Sequence, residues 1–237
     1  MGNPATLAYA TVFPSLMGKA VGVDRQAKQV LWAVDVQRDF MLPGGALYVP
    51  GAEKLLPNIK KLVDLARKEA ALLISSACQH ATDDPEFKVF PPHCVRGTSG
   101  AELVGEATTD KIMRIPSDKF FPFPNDFVRY QQVLLEKQVL DVFSNPNTAM
   151  LIERLAADAR FLVFGVVTEY CVQFAARGLL DRKRRVAVVV DAIATLKKEE
   201  GEKTVSELAS RGASLLSTSE AIAQIESHTD CPGSTIH

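Results

Sequence analysis

Residues 161 to 180, FLVFGVVTEYCVQFAARGLL, constrain the fold more than any other stretch of the chain. Phe161 to Val167 is nearly all apolar and rich in β-branched and aromatic side chains, the composition of a central parallel strand covered on both faces. Gly165 interrupts the run, and a glycine inside a strand marks a close backbone approach. Thr168 is a good N-cap, and from Tyr170 onward Cys171, Phe174, Ala175 and Leu179 fall on one helical stripe. The thiol is therefore expected in the first turn of a helix, where unpaired amides and the helix dipole favour an anion, lower a thiol's pKa and can receive an oxyanion. Most free cysteines are small core residues, so Cys171 reads as a nucleophile only if basic partners come beside it.

The rest of the chain repeats the pattern. Gln29 to Asp35, QVLWAVD, is a buried strand ending in a carboxylate, and the Pro- and Gly-rich VQRDFMLPGGALYVPG after it is a loop. Ala52 to Glu69 has apolar residues at helical spacing with lysines between them, and Ala70 to Ala77 is the next buried strand. Strand, helix and strand at this spacing make a βαβ unit with a right-handed crossover. Further strands are expected at Lys111 to Ile115, Gln132 to Glu136 and Val186 to Val190, with a short one at Ala213 to Leu216. Asn145 and Pro146 start a helix expected to reach Ala157; others run from Lys198 to Ser210 and from Ser217 to Ile225. The fold class is α/β: a single-domain, three-layer α/β/α sandwich around a doubly wound, mainly parallel six-stranded sheet. Residues 29 to 226 form that domain, with an N-terminal extension at 1 to 28 and a C-terminal tail at 227 to 237.

Composition limits the partners. The 237 residues carry 27 Lys plus Arg against 28 Asp plus Glu, a formal net charge of -1, so nothing calls for nucleic acid or an anionic membrane, and a small molecule is the expected partner. No apolar run reaches the ~18 residues of a membrane span. Pro14 breaks the mildly apolar start, which lacks the basic residues of a signal peptide. Cysteines 78, 94, 171 and 231 form no CxxC pair, which points to free thiols in a reducing, cytoplasmic setting.

In a doubly wound sheet, strand C-termini share one edge, where the ligand crevice lies. Asp35, Lys137 and Cys171 then meet there: a carboxylate to exchange a proton, an ammonium to favour thiolate, and a nucleophile, a set suited to acyl transfer from an amide. After the second strand, Cys78, His80 and His93 are types that ligate zinc, and Cys78 and His80, alternating on extended chain, can share one ion. Loop histidines are also often merely solvated. Asp83, Asp84 and Glu86 either complete a shell or keep the loop soluble. The aromatic insertion at 119 to 130 reads as a pocket flap, a subunit contact or a packed surface loop.

Four segments in order, VDVQRDF at 34 to 40, PPHCVRGTSGAE at 91 to 102, LLEKQVLDVFSNPN from Leu134, and GVVTEYCVQFAARG at 165 to 178, resemble the isochorismatase-like cysteine hydrolases, and within them the nicotinamidase-like branch. The resemblance covers roughly Gln29 to Ile225. It implies a catalytic triad of Asp35, Lys137 and Cys171, a cis peptide at Val166-Val167, and an oxyanion hole from the amides of Val167 and Cys171. It also implies pocket aromatics at Phe40, Phe90 and Phe143. The implied reaction is hydrolysis of a small carboxamide through a thioester with ammonia release, nicotinamide to nicotinate being the best single substrate. It also implies a homo-oligomer and a divalent ion, zinc first, at Cys78, His80 and His93, with no organic cofactor. Cys78 stands where the branch has a carboxylate, a change that suits zinc better than harder ions and equally suits a site without metal. Vinyl-ether hydrolysis of isochorismate is disfavoured by the presence of Cys171; a non-catalytic homologue that binds a small molecule remains the alternative.

Overall fold

A computed structural model describes residues 28–229. Residues 1 to 27 of the expected extension at 1 to 28, and residues 230 to 237 of the expected tail with Cys231 among them, lie outside the described residues. Seven strands form one sheet: β1 (Gln29–Val34), β2 (Leu72–Cys78), β3 (Ile112–Ile115), β4 (Gln132–Lys137), β5 (Arg160–Val166), β6 (Arg185–Ala194) and β7 (Ser214–Leu216). Their order is β3-β4-β2-β1-β5-β6-β7, and every neighbouring pair is parallel. The sheet thus has seven strands where six were expected. The seventh is the short Ala213 to Leu216 segment, which pairs with Ala187 to Val189 at one edge.

The helices are α1 (Arg38–Met41), α2 (Leu56–Arg67), α3 (Pro146–Glu153), α4 (Gln173–Asp181), α5 (Lys198–Ser210) and α6 (Thr218–Thr229). Period-two alternation sends the strands' side chains to two separate cores. Leu31, Ala33, Leu162 and Phe164 pack with Ile59, Leu62, Ala221 and Ile225 from α2 and α6. Val30, Trp32, Phe161 and Val163 pack with Leu151, Ala175, Leu179 and Leu208 from α3, α4 and α5. Each large side chain buried this way contributes about 1.5–3 kcal/mol, so the two faces together outweigh any single polar contact.

Two backbone features shape the crevice. Chain order reverses between β1 and β5, the switch point at which ligands bind in such sheets. Gly165, facing Val34 there, has φ 115, and a Cβ on it would lie 2.1 Å from the Val34 carbonyl oxygen, so only glycine permits this approach. Asn145 caps α3 as expected, its side chain accepting from the Asn147 amide, with Pro146 at the first helical position. That helix ends at Glu153, short of Ala157, and the last helix runs past Ile225 to Thr229.

Candidate active site

The Asp35, Lys137 and Cys171 side chains converge above the switch point. Asp35 follows β1 with φ 49, a left-handed turn that short polar residues tolerate, and its amide donates to the Ser76 carbonyl at 2.9 Å. Lys137 ends β4. Its Nζ lies 2.8 Å from Asp35 Oδ2 and 3.5 Å from Cys171 Sγ. Asp35 and Lys137 are each 1% exposed and Cys171 7%, so the pair is desolvated while a small part of the cysteine faces solvent. Asp35 Oδ1 is buried without a partner, leaving an acceptor free in the cluster.

Cys171 is not in the first turn of a regular helix. Residues 168 to 172 form a wide π-type turn, broken at Tyr170 (φ -122, ψ -106), before α4 begins at Gln173. The peptide joining Val166 and Val167 is cis. Glu169 anchors the turn: its carboxylate accepts from Thr195 Oγ1 at 2.6 Å and from the Leu196 and Lys197 amides at 2.9 and 2.8 Å. Thr168 Oγ1 donates to the Ala194 carbonyl at 2.8 Å.

The electrostatics differ from a thiolate resting on a helix dipole. Burial, then the Asp35 charge, pushes the Cys171 thiol well above its ordinary range, with Lys137 opposing. Burial alone would lower Lys137, but Asp35, with Cys171 and Cys78 behind it, raises its ammonium well above the usual lysine range. The cluster therefore sets the Asp35–Lys137 ion pair beside a thiol whose loss of a proton is disfavoured.

Cys78, His80 and His93 are buried, and their ligand atoms all lie within 4.8 Å of one another. His80 Nδ1 is 3.0 Å from Asp84 Oδ2, and its Nε2 is buried without a partner. His93 Nδ1 is 2.8 Å from the Pro91 carbonyl. Outer groups that hold Nδ1 orient each ring so that Nε2 would be the ligand atom for an ion, and the orphaned buried Nε2 of His80 beside a thiol fits a borderline metal such as zinc. Burial, above all, holds His93 below the usual histidine range, keeping it neutral and able to ligate. Cys78 also touches the other cluster: Lys137 Nζ is 2.9 Å from its Sγ, and burial pushes its thiol up to about 12.

Among the expected pocket rings, Phe40 lies 5.3 Å from His93 and Phe90 lies 6.3 Å from it, centroid to centroid. Phe143 has other ring partners. Its ring packs 6.2 Å from Trp32, has the Arg182 guanidinium 4.0 Å from its centroid, and occupies the space a side chain on Gly178 would need. That contact seats the ring against α4. In the 119 to 130 insertion, Phe121, Phe123 and Phe127 pack on the core while Phe120 is 80% exposed.

Sequence reasoning missed the site contacts of three groups. The Tyr170 ring stands 6.1 Å from Phe90, edge to face, linking the turn that carries Cys171 to the histidine loop. The Gln37 side chain donates to the Cys78 and Ala101 carbonyls and accepts from the Cys78 amide, each at 2.8 Å. Asn145 Nδ2 donates to the Glu136 carbonyl at 2.8 Å, fixing the strand end beside Lys137. The available signals were a glutamine just past a strand and an aromatic next to the cysteine.

The fold and the site define an α/β protein with an acid, a base and a thiol at a strand-end crevice. The pattern of the Isochorismatase domain matches residues 29–122 and 120–220, and the chain belongs to the isochorismatase family of hydrolases. It is 29% identical to a probable inactive nicotinamidase of Arabidopsis thaliana over 112 residues, 41% of this chain and 57% of that protein. It is 22% identical to the nicotinamidase of Escherichia coli over 209 residues, 79% of this chain and 93% of the other. The crystal structure of a Pyrococcus horikoshii pyrazinamidase in complex with zinc superposes with TM-score 0.63 at 27% identity, covering 80% of this chain and 99% of that one. Among the described residues, no helix is long and apolar enough to cross a membrane.

Proposed function

We propose that this protein is a cysteine hydrolase that cleaves the C–N bond of a small carboxamide, nicotinamide being the best single substrate, and releases ammonia through a thioester. The observation that carries the reading is Lys137 held between Asp35 and Cys171, with the second Asp35 oxygen unpartnered. Asp35 takes the thiol proton as Sγ attacks the carboxamide carbon, while Lys137 donates to the sulfur. Amides of Val167 and Cys171 receive the developing oxyanion. Asp35 returns the proton to the departing ammonia, and water then hydrolyses the thioester with Asp35 again as base. Phe40 and Phe90, with Tyr170, flank a planar substrate. Cys78, His80 and His93 would hold a divalent ion, which supplies a Lewis-acid contact for a substrate lone pair.

Nicotinamide rather than another amide is favoured by the nicotinamidase relatives and by the aromatic walls. Free buried Cys78, Cys94 and Cys171 suit a cytoplasmic setting, and a homo-oligomer is the expected assembly. The test is ammonia release from a carboxamide panel. Turnover of nicotinamide by the wild type, abolished in Cys171→Ala, is expected. Equal turnover in the variant removes the nucleophile; nicotinate binding with no turnover of any amide leaves a non-catalytic binding homologue.

A further inference from the structure

A second cleft opens where β6 runs past its outer neighbour. β7 pairs only with Ala187 to Val189, and along β5 the β6 partners jump from Val188 to Ile193, so β6 bulges from Val190 onward with no outer strand among the described residues. That part of β6 and one face of α5 border a space of about 420 Å³, inside the range of roughly 300–1,000 Å³ that holds small molecules. Neither the Asp35, Lys137 and Cys171 cluster nor the Cys78, His80 and His93 group lines it.

The side chains around this cleft select a ligand. Val190, 41% exposed, makes an apolar floor with Ile193, Ala194 and Val205. The hydroxyls beside it have already committed their protons: Thr168 donates to the Ala194 carbonyl at 2.8 Å, Thr195 to Glu169 Oε2 at 2.6 Å, and Ser206 to the Glu202 carbonyl at 2.9 Å. What they still offer is acceptor lone pairs. At the rim stand one ammonium and one carboxylate, Lys198 and Glu202, with Nζ and Oε1 3.9 Å apart and both side chains largely exposed. An exposed pair with lysine on the N-terminal side contributes little by itself and leaves both charges open to a ligand.

We propose that this cleft binds a small zwitterion with an apolar body, of the α-amino acid class. Its ammonium meets Glu202 and the hydroxyl oxygens, its carboxylate meets Lys198, and its side chain lies on the apolar floor. A lone anion would face Glu202 and the acceptor oxygens, and a lone cation would face Lys198; a molecule with both charges avoids either conflict. Thr168 and Thr195 also hold the turn that carries Cys171, through Ala194 and Glu169, so an occupant packed on them stiffens that turn. The site does not depend on Cys171 being a nucleophile.

The experiment titrates L-leucine into the full chain, followed by calorimetry and by hydrogen exchange of the peptide spanning 168 to 172. Saturable binding of one molecule per chain is expected, with exchange in that peptide slowed several-fold. Isocaproate, which lacks the ammonium, and isoamylamine, which lacks the carboxylate, are each expected to bind about tenfold more weakly. Glu202→Gln should erase the advantage of L-leucine over isocaproate, and Lys198→Gln its advantage over isoamylamine; the two side chains are 67% and 86% exposed, so neither change disturbs packing. No saturable binding of L-leucine, equal binding of the three molecules, unaltered preferences in both variants, or unchanged exchange at saturation overturns the proposal. None of these readouts requires turnover, so they stand whatever the carboxamide panel shows.

Discussion

Lys137 is the residue at which stability and chemistry are hardest to separate. Its ammonium balances Asp35 in a setting almost closed to water, so Lys137→Met leaves a buried carboxylate unpaired and should cost about 3–5 kcal/mol in urea unfolding. Asp35→Asn together with Lys137→Met removes both charges and should recover much of that loss while leaving no ammonia release. The pH dependence has two signs. Lys137 is raised in the fold, so its contribution is complete below the free lysine value of 10.5 and disappears as pH rises through the folded value. His93 is lowered, so its neutral form contributes above the free value of 6.5 and the contribution is lost as pH falls through the folded value. Melting temperature of the ion-free protein should therefore fall from about pH 7 toward about pH 5, and His93→Gln should flatten that slope. Asp35, Lys137 and Cys171 were legible because each stands where an apolar strand ends, a position that periodicity finds. The Gln37 contacts and the Nδ2 contact of Asn145 were not, because they act on carbonyls brought to them by the fold, though the capping role of Asn145 was.

At the level of elements, the join between β5 and α4 decides whether sulfur reaches the crevice. Sequence periodicity located both elements but could not see the wide turn between them, since one extra residue in a turn leaves the apolar stripe of α4 in place. Glu169 holds that turn against residues 195 to 197 by three hydrogen bonds. Glu169→Ala should strand the Leu196 and Lys197 amides, leaving the Thr195 hydroxyl its bond to the Lys197 carbonyl, lower stability by about 1–3 kcal/mol, and reduce kcat more than it raises KM in the ammonia assay. A drop in stability with kinetics untouched would show that the turn keeps its shape unaided. Below it, Gly165→Ala should be among the most damaging single methyl additions in the protein, because the new Cβ meets the backbone of β1 and no side chain can yield. Loss of soluble protein, or a large fall in melting temperature, is the expected reading.

For the whole molecule, the α/β class and the three layers were legible in the alternation of apolar runs and amphipathic helices. The strand order was not, because pairing across 40 or more residues leaves no local trace; β1 beside β5 is one such case. The chain's one tryptophan, Trp32, is fully buried in β1 among Phe143 and Phe161, and β1 also feeds the opposite core through Leu31 and Ala33. A sheet shared by both cores should unfold once, so tryptophan fluorescence and far-ultraviolet circular dichroism are expected to give coincident denaturation curves. Separated curves would mean that the two helical layers come apart independently. Because every strand points the same way, the rim opposite the crevice carries, among the described residues, reversals such as the exposed Glu69 and Lys183 corners, both left-handed in backbone. A tether, label or immobilising tag attached at the Lys183 corner would leave the chemistry facing open solvent, which makes that rim the natural handle for fixing the protein to a surface.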